Sequence, residues 1–116
     1  MLFRSSKDEF ERWIQLQRQP AFLDDAVSQG QRIFETTACI SCHTVSGTVA
    51  NGRFGPDLTH LMSRDTIAAG AALNAPENLR RWILNPNVIK PGSLMPAMEL
   101  NDQELDALTA YLETLR

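Results

Sequence analysis

Cys39-Ile40-Ser41-Cys42-His43 is the stretch on which the reading of this chain turns. Two thiols stand two residues apart and an imidazole follows the second directly, the C-x-x-C-H spacing of a c-type haem attachment site. The chemistry accounts for the spacing. Two thiols must add across the two vinyl groups of one porphyrin edge, and a turn of chain with two intervening residues spans them. His43 is then placed under the iron to supply the proximal nitrogen. Two other readings compete for the cysteine pair. Half of a zinc site needs two more ligands, for which the only other histidine, His60, is a poor supply. A thioredoxin-like pair should follow a strand and open a helix in a βαβ setting, which the pattern lacks. The haem reading prevails; a colourless protein with bound zinc would restore the metal-binding module.

The rest of the composition agrees with one small domain. A chain of 116 residues sits within the single-domain range. Its 11 basic and 14 acidic residues leave a formal charge of −3, against the concentrated basic surface that nucleic acid requires. Two cysteines cannot build a disulfide-rich scaffold. No apolar run approaches the roughly 18 residues that cross a bilayer. Nor does an apolar segment follow the charge in Met1 to Lys7, as a signal peptide would require.

Hydrophobic periodicity is helical in several places and strand-like almost nowhere, so the expected class is all-α. Ser6 and Glu9 open a helix over Lys7 to Arg18 that Pro20 ends, carrying Phe10, Trp13, Ile14 and Leu16. Gln19 to Asp25 reads as a linker, then a helix from about Ala26 to Thr37 with Asp24 or Asp25 as its cap. Thr44 to Pro56 is loop, punctuated by Gly47, Asn51-Gly52 and Gly55-Pro56. A short helix is expected over Leu58 to Met62. Another begins at Asn74, Pro76 and Glu77, carries Leu79, Trp82 and Ile83, and stops at Asn85-Pro86. Asn87 to Ala97 reads as extended. In the last helix Asn101 and Glu104 form a cap pair, and Leu105, Leu108, Leu112 and Leu115 repeat on one face. Short helices joined by such long loops need something to wrap around, and a large apolar prosthetic group would supply it.

A haem with one histidine needs a sixth ligand or an open site. Met95 lies in Lys90-Pro91-Gly92-Ser93-Leu94-Met95-Pro96, and here the chain resembles the class I cytochromes c, in which a Pro-Gly-x-x-Met loop delivers a thioether to the distal face. The resemblance runs from Gly30-x-x-x-Phe34 through the haem motif, Gly55-Pro56-Asp57-Leu58 and Leu84-Asn85-Pro86 to the Leu108–Leu112 helix. It implies short helices and long loops wrapped around one covalently bound haem c, with an extra helix in front. It implies Cys39 and Cys42 as the thioether anchors and His43 and Met95 as iron ligands, Met98 being the nearest rival. The family holds the proximal ring on the carbonyl of the Gly-Pro segment, which gives Pro56 that role. Arg64 falls where an arginine stands near a haem propionate, Trp82 where an aromatic packs by the distal face, and Ser93 where a hydroxyl stands near a propionate. Gly30, Phe34 and Tyr111 would form the crossing of first and last helices. Met62 is core filler, His60 a loop or rim residue, and the acidic run Asp102, Glu104 and Asp106 a solvated helix start.

A narrower resemblance concerns Gly47 to Arg64, Ala68-Ala69-Gly70, Asn78-Leu79-x-x-Trp82-Ile83 and Lys90 to Pro96. These look like the cytochrome c domain of subunit II of caa3-type haem-copper oxidases. Glu9-Phe10-Glu11-Arg12-Trp13 resembles the segment after the last strand of their copper-binding domain. This implies two parts: residues 1–20 as an extension linking to the copper domain, and 21–116 as the cytochrome domain, cut from a longer polypeptide. It implies a one-electron carrier without substrate catalysis of its own, on the periplasmic or outer face of the bacterial membrane. Its donor would be a diffusible cytochrome, a high-potential iron–sulfur protein or a bc1-like complex, and its acceptor the copper centre. The rivals are a free-standing diffusible cytochrome c, and a peroxidase or gas sensor whose sixth site is open.

Overall fold

A computed structural model describes residues 6–21 and 25–116. The described chain is mainly short helices separated by loops. Helix α1 (Lys7–Gln17) starts where Ser6 accepts a hydrogen bond from the Glu9 amide, and it buries none of its residues. The expected linker and its Asp24 cap lie partly outside the described residues. Helix α2 differs from expectation at its start: a 3-10 turn over Asp25–Val27 precedes α2 (Ser28–Thr36), whose cap position is Val27 with no side-chain bond. The haem-type motif itself coils into one turn, α3 (Cys39–Cys42).

Two later elements also depart from the periodicity. The short helix expected over Leu58 to Met62 is a 3-10 turn at Leu61–Ser63. Leu58 is held extended because its amide donates to the Thr44 carbonyl, and Asp57 Oδ1 accepts from both the amide and the hydroxyl of Thr59. Within the segment expected to be extended, Pro86–Ile89 forms a helical turn, α5. Proline fits the first helical position, and the Asn85 side chain accepts from the Asn87 amide. Helix α4 (Pro76–Leu84) precedes it and ends at Asn85, since a residue before proline is steered out of helical backbone. The expected pattern contained no strands. The structure has a small antiparallel hairpin, β1 (Thr66–Ile67) with β2 (Ala72–Leu73), pairing Thr66 with Leu73 and Ile67 with Ala72.

Helix α6 (Asp102–Leu112) opens with a complete capping box, Asn101 Oδ1 accepting from the Glu104 amide and Glu104 accepting from the Asn101 amide. Leu105, Leu108, Leu112 and the following Leu115 are all buried. The adjoining face, at Ala107 and Tyr111, packs against α2 at Gly30. A Cβ there would overlap the Ala107 carbonyl oxygen and stand 2.7 Å from Tyr111 Cβ. Close approach brings Phe34 against Tyr111, ring centroids 5.9 Å apart. Asp102 and Asp106, expected to be only solvated, both accept from Arg80 on α4, at 3.1 and 2.8 Å. These pairs are exposed and screened by solvent, so they add little to stability. The His60 ring bridges the carbonyls of Gln19, at 2.9 Å, and Arg116, at 2.6 Å, joining the exit of α1 to the end of the chain. Among the described residues no helix is long and apolar enough to cross a membrane.

Candidate haem site

The α2–α6 crossing, the β1–β2 hairpin and α4 enclose a cavity of about 630 Å³. Phe34, Leu79, Ile83, Leu108 and Leu112 line it, so the same stripes that make the helices amphipathic supply its apolar walls. Cys39, His43, Pro56, Arg64, Trp82 and Met95 reach into it from five separate stretches of chain. A second cavity of about 370 Å³ shares Cys39, His43 and Met95 and adds Cys42 and Met98. Its rim carries two strongly exposed apolar side chains, Phe54 at 74% and Leu94 at 81%.

Local backbone bonding explains how His43 is aimed. Its amide donates to the Cys39 carbonyl at 2.9 Å, closing the turn of α3, and the chain then leaves in extended backbone. The Gly52 amide donates to the His43 carbonyl, and the Gly55 amide to the Cys42 carbonyl at 2.7 Å, which folds the 44–55 loop back over the motif. Nδ1 of His43 donates to the Pro56 carbonyl at 2.7 Å. A carbonyl can only accept, so Nδ1 carries a proton, and in the neutral ring the lone pair is then on Nε2, the tautomer a metal-binding imidazole needs.

Burial pushes the Cys39 thiol above its ordinary pKa, partly opposed by the Thr37 hydroxyl 3.0 Å from Sγ. The Arg64 guanidinium donates to the Asp57 carbonyl, which holds an otherwise exposed cation against the cavity wall. Its own carbonyl accepts from Asn74, whose side chain also bonds the Leu61 carbonyl. Ser93 stands apart from the others. It lines neither cavity, and its hydroxyl donates to the Lys90 carbonyl at 2.5 Å, closing the turn before Met95.

The donor set fits haem c. Two thiols, a proton-oriented imidazole and a thioether surround a large apolar space with the Arg64 cation at its wall, the mix of contacts that a flat macrocycle with carboxylate arms requires. Among the described residues no group of three or more histidine, cysteine or acidic side chains could hold a metal ion alone. Several cavity residues have no role assigned from the sequence, Ala68, Ala69 and Gly70 entering only as part of a resemblance. Ala68 and Ala69 line the cavity in left-handed backbone, φ 52° and 54°, ahead of Gly70 at 89°.

The fold and the cavity fit a haem-binding domain of the cytochrome type. The cytochrome c family model matches residues 27–116, and the chain belongs to that family, whose cofactor is haem c. Over 99% of its length it is 34% identical to cytochrome c oxidase subunit 2 of Alkalihalophilus pseudofirmus, and over 95% it is 34% identical to that of Bacillus sp. strain PS3. The chain spans about a third of those relatives, 34% and 33% of their lengths. The C subunit of nitric oxide reductase from Paracoccus denitrificans is 35% identical over 78% of the chain and 59% of the relative.

Proposed function

We propose that the chain is the cytochrome domain of a caa3-type oxidase subunit II, receiving single electrons from a donor protein and passing them to a copper centre in the parent subunit. Bound haem c supplies the ferric–ferrous couple. Cys39 and Cys42 would anchor it as thioethers, and His43 and Met95 would hold its iron, a pairing that would favour the reduced metal and raise the potential. Pro56 keeps the His43 ring in one orientation and one tautomer in both oxidation states. Arg64 neutralises a carboxylate arm, Trp82 closes the apolar wall, and Ser93 acts on the Met95 loop by fixing its turn.

The observation that carries this reading is the convergence of Cys39, His43 and Met95 on one cavity, with the His43 ring already held by Pro56 at 2.7 Å. The choice of oxidase is supported by reach: its subunit 2 relatives align with 95–99% of the chain, the nitric oxide reductase relative with 78%. Residues 1–20, which include α1, serve as the link to the copper domain. The domain works on the periplasmic or outer face of the membrane, with a diffusible cytochrome, a high-potential iron–sulfur protein or a bc1-like complex as donor.

Stopped-flow mixing of the reduced holoprotein with an isolated copper-binding domain from an oxidase subunit 2 tests the assignment. Rapid reoxidation that slows with rising salt is expected, because brief electron-transfer encounters are steered by charge. Absence of reoxidation, with a diffusible donor cytochrome still able to reduce the protein, would favour a free-standing carrier.

A further inference from the structure

Residues 94–100 form a strap between the Lys90–Ser93 turn and α6, and none of them makes a hydrogen bond to any described residue, through backbone or side chain. Both ends are tied. On one side the Ser93 amide donates to the Lys90 carbonyl at 3.2 Å, and the Gly92 amide to Asn87 Oδ1 at 2.9 Å. On the other stands the Asn101–Glu104 capping box. Between these ties Leu94, Pro96, Ala97 and Glu99 are exposed, while Met95, Met98 and Leu100 are half-buried. The strap is therefore positioned by side-chain burial, two-thirds of it by thioethers, and no backbone pairing fixes which methionine faces the cavity.

Pro96 favours polyproline II backbone for the residue before it, and that conformation turns once in three residues. Met95 and Met98, three apart, accordingly share a side, and both line the smaller cavity together with Cys42 and His43. We propose that Met98 is a second thioether available to the same iron, taking the sixth position when Met95 is removed. The proposal rests on Met95 being the resident ligand. The two side chains are chemically identical donors on flexible stems. Advancing the strap by three residues spans about 9 Å in such backbone, shared between the chain and two long side chains, and it breaks no hydrogen bond within 94–100. Asn101, Asp102 and Gln103 are exposed, and the first turn of α6 yields at the trailing end at the cost of the Asn101–Glu104 capping box and the Asp102–Arg80 contact. The consequence is an iron that keeps six ligands instead of opening a site to diatomic gases.

The test compares haem-loaded wild type, Met95→Leu, Met98→Leu and the double variant, reading the near-infrared thioether–iron band of the ferric form and carbon monoxide binding to the ferrous form. Wild type and Met98→Leu should show the band. Met95→Leu should retain a displaced band and bind carbon monoxide at least about tenfold more slowly than the double variant. The double variant should lose the band and bind the gas readily. If Met95→Leu matches the double variant, Met98 is only filler and the proposal falls, while Met95 stands as ligand. If instead Met98→Leu loses the band and Met95→Leu matches wild type, the Met95 assignment itself is wrong. Should Met95→Leu fail to fold, the same comparison is made between Met95→Ala and Met95→Ala/Met98→Leu: a band kept in the first and lost in the second supports Met98 as the replacement ligand, and identical spectra and gas binding would overturn the proposal.

Discussion

Gly55 and His43 are in a contact that no other residue at position 55 could make: a Cβ there would stand 2.7 Å from Cε1 and 2.9 Å from Nδ1 of the imidazole. The Gly55 amide is simultaneously tied to the Cys42 carbonyl, so the loop cannot back away without losing that bond. Gly55→Ala should rotate the ring off the Pro56 carbonyl. The expected outcome is a several-fold fall in haem-loaded protein and an altered axial-ligand spectrum, while an unchanged yield and spectrum would show that the loop yields freely.

At the helix crossing, Gly30→Ala inserts a methyl group into the Ala107 carbonyl oxygen and Tyr111 Cβ. Both obstacles are backbone or stem atoms of a buried helix, so they cannot swing aside. A loss of about 3 kcal/mol is expected from such overpacking, read as a lower denaturant midpoint of the holoprotein. A midpoint unchanged from wild type would mean the α2–α6 packing is looser than described.

Tyr111 offers a pH test. Its side chain is 1% exposed, its hydroxyl finds no partner among the described residues, and burial, with a smaller contribution from Glu35, pushes its pKa from 10.0 up to about 12. The folded state holds this proton more tightly than the unfolded chain, so its contribution is fully present below pH 10 and is lost as pH rises through about 12. The loss is on the order of 2 kcal/mol across that window. Tyr111→Phe removes a buried hydroxyl that bonds nothing among the described residues. It should be neutral or stabilising at neutral pH and flatten the stability profile above pH 10. A clear destabilisation at neutral pH would reveal a hydrogen-bond partner for that hydroxyl.

Ala68 and Ala69 hold left-handed backbone in the β1–β2 turn at the cavity wall. That conformation costs an alanine roughly 1–2 kcal/mol, whereas glycine adopts it without steric penalty and loses about 0.5–1 kcal/mol in chain entropy. Ala69→Gly should therefore stabilise the holoprotein by up to about 1 kcal/mol. A thermal midpoint below wild type would mean that the Ala69 methyl group packs against the bound cofactor.

Local signals carried the sequence reading as far as they reached. Asn101 and Glu104 announce α6 because a capping box is satisfied within four residues, and the leucines at 105, 108 and 112 reveal their shared face by spacing alone. Gly30 with Phe34 came from the resemblance to the class I cytochromes c and not from spacing. The β1–β2 hairpin was invisible: its strands are two residues each, and its turn uses alanines where glycine or asparagine would have been the signal. The displaced turn at Leu61–Ser63 depends on Asp57 and Thr59 bonding each other and on Thr59 accepting from the Ser46 amide, a contact across thirteen positions. In the site, the Cys39–His43 spacing and the Pro-Gly-x-x-Met loop stand in the sequence as motifs. The exposed rim at Phe54 and Leu94 does not, because only folding brings the two loops to one opening.

Whether two thiols of this chain carry a haem through covalent bonds is read out by the intact mass under denaturing conditions. Protein produced with a c-type maturation system, and its Cys39→Ala/Cys42→Ala counterpart, should be unfolded and weighed. The wild type should retain the added mass of one haem and its colour, and the double variant should show the bare polypeptide. A wild-type mass equal to the bare chain, with two titratable thiols or bound zinc, would mean that Cys39 and Cys42 hold no haem.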